Sequence, residues 1–164
     1  MATATKTATP VNLPAPIFNR VLDEGYGPGA WYGADLRTAV TDVKAADAFK
    51  RPAKGRHNIA EIALHQAFWA REVVKRLTGG EPKGDFPLQG EDWFELNDEK
   101  RLSWKKVVQT LEANQQQLSE AVAAIAAGKQ RSPMSEIERF DTVIGISEHA
   151  AYHAGQIQLV RKLI

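Results

Sequence analysis

The spacing of hydrophobic and polar positions predicts helices along almost the whole chain. Apolar residues recur every three or four positions, as they do on one face of an α-helix, and no segment alternates in the way that a half-buried strand does. Four amphipathic regions follow from this pattern. They cover residues 15–48, 58–78, 103–127 and 141–164, and the first is interrupted by the glycine- and proline-rich segment 25–29.

Local signals support the ends of these helices. Asn58 and Glu61 have the spacing of a capping box at the start of the second helix, and Gly79 followed by Gly80 predicts its end. Asp141 is the predicted N-cap of the fourth helix.

The inward-facing residues expected after the interruption of the first region are Trp31, Leu36, Val40 and Val43. Three aromatic residues are interpreted mainly as core residues, one of them a candidate wall of a substrate cleft: Trp31, Tyr32 and Trp69.

Four amphipathic helices in a chain of 164 residues predict an all-α four-helix bundle forming one domain. The bundle is expected over residues 15–164, after a loosely ordered N-terminal tail at residues 1–14. The connection at residues 81–101 is long for a bundle, and long connections often carry function.

Composition narrows the range of functions. The formal net charge of +1 predicts no nucleic-acid partner, and no apolar run approaches the roughly 20 residues of a membrane span. A cytoplasmic location is the default expectation, because the N-terminus does not resemble a secretory signal. The chain has no cysteine, so a metal site must use His, Asp or Glu side chains.

Histidine is the residue type that most strongly indicates chemistry here. His149 and His153 are four residues apart, so their rings lie one above the other on one helix face. His65 falls on the inward stripe of the second helix. Periodicity alone leaves two interpretations open, a shared metal ion and a hydrogen-bonded polar cluster. The fourth histidine, His57, lies in a polar loop and is interpreted as solvent-exposed rather than as a ligand.

Two segments resemble a known family. Residues 59–69, IAEIALHQAFW, and residues 145–157, GISEHAAYHAGQI, are similar to the second-helix and fourth-helix patterns of the DinB-like (YfiT-like) superfamily of metal-binding four-helix bundles. Arg51-Pro52 and Trp104 also fit that pattern, and the resemblance extends over residues 15–164.

The resemblance implies an up-down-down-up bundle in which His65, His149 and His153 bind one divalent transition metal ion, zinc or nickel. Relatives include transferases and isomerases that use low-molecular-weight thiols. The expected function is therefore that of a metal-dependent enzyme, a thiol-dependent S-transferase or a hydrolase, acting on a small-molecule substrate. A homodimer is compatible with a bundle of this size, although no sequence feature requires one.

Three further residues near the fourth-helix histidines are candidates for the site. Glu148 is a candidate for a general base or for a partner that supports a ligand histidine, although a solvated charge is the favoured interpretation. Tyr152 is a candidate for lining the pocket, with core packing as the alternative, and Gln156 is a candidate for orienting a ligand histidine through a hydrogen bond. Two alternative functions remain open at this point: a non-catalytic metal- or small-ligand-binding bundle, and a structural homodimer whose histidines form only a polar cluster.

Overall fold

The structure consists of helices joined by loops. The computed structural model describes residues 15–164, and within that range it holds six α-helices and no β-strand. The helices are α1 (Ala15–Tyr26), α2 (Leu36–Val40), α3 (Ala45–Ala48), α4 (Ile59–Thr78), α5 (Trp104–Ala126) and α6 (Glu136–Leu163). The all-helical prediction is confirmed, whereas the predicted tail at residues 1–14 lies outside the described residues. None of the six helices is long and apolar enough to cross a membrane.

The four long helices, α1, α4, α5 and α6, form the bundle. α1 contacts α5 and α6, and α4 contacts the same two helices, so α1 and α4 occupy opposite corners. Phe18 packs on Phe140, and the Val21 carbonyl accepts a hydrogen bond from Ser147, so α1 and α6 run parallel. The beginnings of α4 and α5 share one part of the core with the end of α6. The helix directions are therefore up, down, down and up, as the family resemblance implied.

The core has two parts; His149 lies between them along α6, whereas His65 and His153 lie among residues of one part. One part joins α2 and α3 to the first half of α4, the start of α5 and the end of α6. The other part joins α1 to the second half of α4, the second half of α5 and the first half of α6. The largest fully buried apolar side chains include Leu22, Leu36, Ile59, Leu64, Leu77, Leu96, Leu111, Leu118 and Ile157.

The predicted ends of α4 are confirmed. The Asn58 side chain accepts a hydrogen bond from the Glu61 backbone N–H, and the Glu61 carboxylate reaches back to the Asn58 backbone N–H. Both halves of the capping box are thus present. Gly79 ends the helix with a φ of 70°, a left-handed conformation that glycine adopts without a steric penalty.

The predicted start of the fourth helix is wrong. α6 begins at Glu136, and Asp141 lies inside it rather than at its N-cap. Ser135 is the cap, because its hydroxyl accepts from the Glu138 backbone N–H while the Glu138 carboxylate accepts from the Ser135 backbone N–H. This capping box stabilises a first turn that is mostly polar. The hydrophobic stripe begins only after that turn, and for this reason the periodicity placed the start too late.

The segment after α1 is less helical than predicted. Trp31 is 92% exposed and lies in a turn, so its assignment to the core is wrong, and Tyr32 is 47% exposed. Gly29 and Gly33 have φ values of 87° and 139°, which interrupt the helix on either side of these aromatic residues. Helix resumes only after Asp35, whose carboxylate caps α2.

A buried carboxylate connects α4 to the loops around it. Glu61 is 1% exposed, and its carboxylate accepts hydrogen bonds from both terminal nitrogens of Arg51. It also accepts from the Leu96 backbone N–H and from His57 Nδ1, each at 2.9 Å. Burial raises the pKa of Glu61, but the hydrogen bonds from Arg51, Leu96 and His57 outweigh it and hold the pKa below its ordinary value of 4.5.

We expect Glu61→Gln to lower the free energy of unfolding by about 3 kcal/mol at neutral pH, because it leaves the guanidinium of Arg51 without its carboxylate partner. Urea denaturation measures the change. Glu148→Gln is the matched control: Glu148 is exposed, so its replacement should stay within about 0.5 kcal/mol of wild type.

The stability difference between wild type and Glu61→Gln should also depend on pH. Because the pKa of Glu61 is depressed in the folded state, its contribution is present above pH 4.5 and is lost as the pH falls through the folded value. The stability difference between wild type and Glu61→Gln should therefore shrink in acid. A difference that stays constant well below pH 4.5 would contradict this account of the carboxylate.

Candidate metal centre

Three histidine side chains meet in the groove between α4 and α6. His65 projects from α4, and His149 and His153 project from successive turns of α6. His65 and His153 are buried, and His149 is half-buried. The Nε2 atom of His149 lies 3.2 Å from Nε2 of His65 and 3.0 Å from Nε2 of His153. One nitrogen from each ring thus lies within 4.8 Å of the other two.

The other nitrogen of each ring has an oxygen partner. His65 Nδ1 lies 2.9 Å from the carbonyl oxygen of Asp92, and His149 Nδ1 lies 2.5 Å from Oε1 of Gln66. His153 Nδ1 lies 2.6 Å from Oε1 of Gln156. Carbonyl and carboxamide oxygens only accept hydrogen bonds, so each Nδ1 carries the ring proton. Each Nε2 is left with a lone pair.

The three lone pairs fit a divalent transition metal ion. Without a cation between them, three unprotonated nitrogens at such distances repel each other and have no hydrogen to share. Nitrogens bound to one tetrahedral zinc ion at roughly 2.0–2.1 Å lie about 3.3–3.4 Å apart, close to the separations found here. The hydrogen bonds at Nδ1 are those that orient metal-binding imidazoles in proteins. The three histidines can therefore hold a metal ion.

The electrostatics keep these imidazoles neutral. Burial lowers the pKa of His149 to about 4, and the neighbouring His65 contributes in the same direction. Burial likewise lowers the pKa of His153 to about 4, reinforced by His149. The pKa of His65 is also lowered by burial. Neutral imidazole is the form that binds metal, so the site is ready for an ion at neutral pH.

The long loop between α4 and α5 supplies part of the centre. Asp92 has a φ of 66°, unusual for a residue other than glycine, and its carbonyl oxygen points at His65. Its carboxylate accepts a hydrogen bond from the indole N–H of Trp69 at 2.8 Å and lies 3.2 Å from His65 Nδ1. Asp92 thus fixes His65 and Trp69, which are one turn apart on α4.

Trp93, the next residue of the loop, lies in a stack of three rings. Its indole is 3.9 Å from the ring centre of His65 and 3.7 Å from that of His57, with interplanar angles of 7° and 8°. Two rings cannot both stack on one face of an indole at these distances, so His65 and His57 cover opposite faces of Trp93. The side chain of His57 is 47% exposed, in agreement with its predicted exposure, but Trp93 and Glu61 hold it in place.

Two cavities adjoin the histidine cluster. The first, which we call the Arg76 cavity, has a volume of about 480 Å³ and is lined by His65, His149, Trp69, Arg76, Asp92 and Ile146, among others. The second, the His57 cavity, has a volume of about 550 Å³ and is lined by His153, His57, Arg56, Trp93, Tyr152 and Leu159, among others. The cluster therefore lies between two spaces, each of which can hold a small molecule.

The other predicted site residues have different surroundings. Glu148 is exposed, and its side chain makes no hydrogen bond to the described residues 15–164. Tyr152 is 63% exposed, so the core alternative is wrong for it, and its ring edge lies against His153 at the mouth of the His57 cavity. Gln156 contacts His153 Nδ1, as described above.

Sequence reasoning did not identify Gln66, Asp92 or Trp93 as part of this site. The sequence contained one indication that Gln66 belongs to the site: it is a polar residue next to His65 on a helix expected to be buried, and a buried polar side chain requires a hydrogen-bond partner. For Asp92 and Trp93, the only indication of a role in the site was the unusual length of the loop that contains them. Their contacts with His65 span more than 25 residues of chain, and a loop has no periodicity from which its path could be predicted.

The comparisons with known proteins identify one family. The family model described as DinB superfamily matches residues 31–157, well over half of the 164 residues. The matched segment includes all three histidines of the cluster together with Gln66, Asp92 and Gln156. No curated protein and no solved structure matches the chain.

The hydrogen-bond pattern predicts the state of each imidazole in the metal-free protein. Long-range ¹H–¹⁵N spectra should show a proton on Nδ1 and none on Nε2 for His65, His149 and His153 at neutral pH. His149 and His153 should titrate near pH 4 in the folded protein and near their ordinary pKa of 6.5 in urea. Since the unfolded chain binds these protons first, stability should fall as the pH is lowered from 6.5 toward 4.

One result would contradict this arrangement directly. A proton on Nε2 of His149 would show that Gln66 presents its amino group to Nδ1 rather than its oxygen. In that case only two lone pairs would converge, and the three-ligand centre would be lost. His57 provides an internal control in the same spectra because it is not part of the cluster.

Proposed function

The chain belongs to the DinB superfamily, and we propose that it is a metal-dependent enzyme in which His65, His149 and His153 hold one divalent transition metal ion. The observation that carries the proposal is the convergence of three Nε2 lone pairs while every Nδ1 is already hydrogen-bonded. Imidazole ligands suit zinc and nickel, the two metals that the family resemblance favours.

The ligand set is that of a catalytic site. Three protein ligands leave at least one position free on a tetrahedral ion, whereas structural zinc sites use four. A bound ion supplies Lewis acidity, which brings the ionisation of a water molecule or a thiol into the neutral pH range. Because all three imidazoles are neutral, they leave the ion's full positive charge available to attract an anionic reactant.

The protein's own side chains then position the reactants and limit access of water. Gln66, Gln156 and the Asp92 carbonyl hold the three rings in place. Trp69 and Ile146 wall the Arg76 cavity with apolar surface. Preorganised groups of this kind lower the cost of bringing reactants into the correct geometry.

Two cavities at one centre support transfer between two small molecules. A thiol-dependent S-transferase must bind a low-molecular-weight thiol and its acceptor on either side of the group that activates the thiol. Hydrolysis needs only one organic substrate, since water is the second reactant. We therefore favour the S-transferase, with the hydrolase as the other enzymatic candidate.

A non-catalytic metal- or small-ligand-binding bundle is the second candidate function. Its support is the scarcity of acid–base groups at the centre. Asp92 carries the one carboxylate among the described residues that line the two cavities, and it is engaged by Trp69. Glu148, the other candidate base, is solvent-exposed.

We expect protein purified without a nickel column to contain about one zinc or nickel ion per chain, and His149→Ala to lose it, because His149 Nε2 is the atom that both other rings face. Elemental analysis by mass spectrometry measures the content. His57→Ala is the matched histidine control and should keep its metal.

Circular dichroism of the same three proteins shows whether the bundle stays folded. Wild-type protein that holds no transition metal, and that gains no thermal stability when zinc or nickel is added, would refute the metal centre. Binding of an ion to the folded state must raise the melting temperature.

Turnover separates the candidate functions. Zinc-loaded protein should accelerate conjugation of glutathione or cysteine to chlorodinitrobenzene, and removal of the ion should lower this rate about 100-fold or more, recovered on adding zinc. Hydrolysis of nitrophenyl acetate is measured in parallel without thiol. Metal-dependent hydrolysis without thiol transfer would favour the hydrolase, and stoichiometric metal with neither activity over a broad substrate panel would favour the binding protein.

A further inference from the structure

We propose that the His57 cavity binds the anionic end and the apolar body of one substrate, a carboxylate on a short aliphatic or aromatic skeleton. This inference deepens the proposed function and rests on it in one respect: His153 is taken as a metal ligand, so that the bound carboxylate lies beside the reacting centre. The chemical class of the ligand follows from the cavity itself.

The described residues that line the His57 cavity carry positive charge and no negative charge. Among the described residues around the cavity there is no Asp or Glu, while Arg56 contributes a permanent positive charge. Glu61 lies behind the lining, but Arg51 already pairs with its carboxylate. A ligand anion therefore meets positive charge without an opposing carboxylate.

Arg56 is held at the cavity through its backbone, and His57 is held there through contacts of its ring. The Arg56 carbonyl oxygen accepts a hydrogen bond from Arg51 at 2.7 Å, which fixes the backbone while the guanidinium has no hydrogen-bond partner within residues 15–164. His57 is fixed by Glu61 at Nδ1 and by Trp93 against its ring face, so its ring forms a fixed part of the cavity wall beside Arg56, whose guanidinium supplies the hydrogen-bond donors for an anion.

The rest of the cavity is apolar and partly uncovered. Ile62 and Val160 form buried wall, and Trp93 contributes an edge of its indole. Leu159 and Leu163, on the last turns of α6, are 59% and 61% exposed although they line this space. An apolar skeleton lying on them would remove that surface from water, a favourable change.

The lining of the Arg76 cavity carries both positive and negative charge, and this difference assigns the anion to the His57 cavity. There the guanidinium of Arg76 lies over the Trp69 ring at 5.5 Å, and the Asp92 carboxylate is 50% exposed in the same space. Opposite charges are thus already present together. This side suits the second, uncharged or zwitterionic reactant.

Two tryptophans report on the two cavities separately. Trp93 lines the His57 cavity and Trp69 lines the Arg76 cavity. Trp104, whose indole N–H donates to the Val43 carbonyl, and the exposed Trp31 lie outside both. Titration of the ¹⁵N-labelled, metal-free full chain with hexanoate, followed by the four indole N–H signals, therefore locates and quantifies binding.

We expect hexanoate to shift the Trp93 signal with saturation and to bind about tenfold or more tightly than hexanamide, its uncharged match. Arg56→Gln should abolish this preference, whereas Arg76→Gln, the matched change in the other cavity, should preserve it. Leu159→Ser should weaken hexanoate and hexanamide by similar factors, because it alters only the apolar wall. Zinc-loaded protein should bind hexanoate more tightly than metal-free protein.

Several outcomes would overturn the inference. Equal affinities for hexanoate and hexanamide would remove the anion site, and a shift of Trp69 alone, lost in Arg76→Gln, would assign the anion to the other cavity. Absence of any binding, together with a dimer that Leu159→Ser dissociates in sedimentation, would identify the leucines as a subunit interface. The proposed function fails separately: hexanoate selectivity without zinc uptake would refute the metal centre alone.

Discussion

Three unprotonated imidazole nitrogens directed at one point are the constraint on which the rest of the site depends. His65, His149 and His153 each use Nδ1 for an oxygen partner, so no hydrogen is available to separate the converging Nε2 atoms. A cation is the partner that removes their repulsion. The antiparallel contact of α4 with α6 and the path of the loop that covers His65 can be understood as the means by which the chain maintains this convergence.

The loop is held by two residues of α4 that lie one turn apart. Glu61 accepts from the backbone of Leu96, and His65 donates to the backbone of Asp92. Residues four apart on a helix share a face, so both side chains reach the same loop segment. The carboxylate with its partners Arg51 and His57 thus stabilises the loop that in turn fixes a candidate metal ligand.

Much of this architecture could be predicted from the sequence, and the omissions have a common cause. The i, i+4 spacing of His149 and His153 and the inward stripe around His65 are periodic features, and periodicity indicated which residues meet. The start of α6 was misplaced because its first turn is polar and depends on the Ser135 capping box. Contacts made through the 92–96 loop could not be predicted, since they depend on hydrogen bonds between segments that no local pattern connects.

The distribution of buried polar groups also argues that this half of the bundle is specialised. The N-cap and first two turns of α4 bury Asn58, Glu61, His65 and Gln66, each at most 5% exposed, whereas the second half of the same helix packs almost entirely through apolar side chains. Buried polar networks are often less stabilising than apolar packing of the same volume. Stability alone therefore does not account for four of them in two turns. Each one orients a loop, a cap or an imidazole, and two of them, His65 and Gln66, reach into the groove where α4 meets α6 between two cavities of different charge.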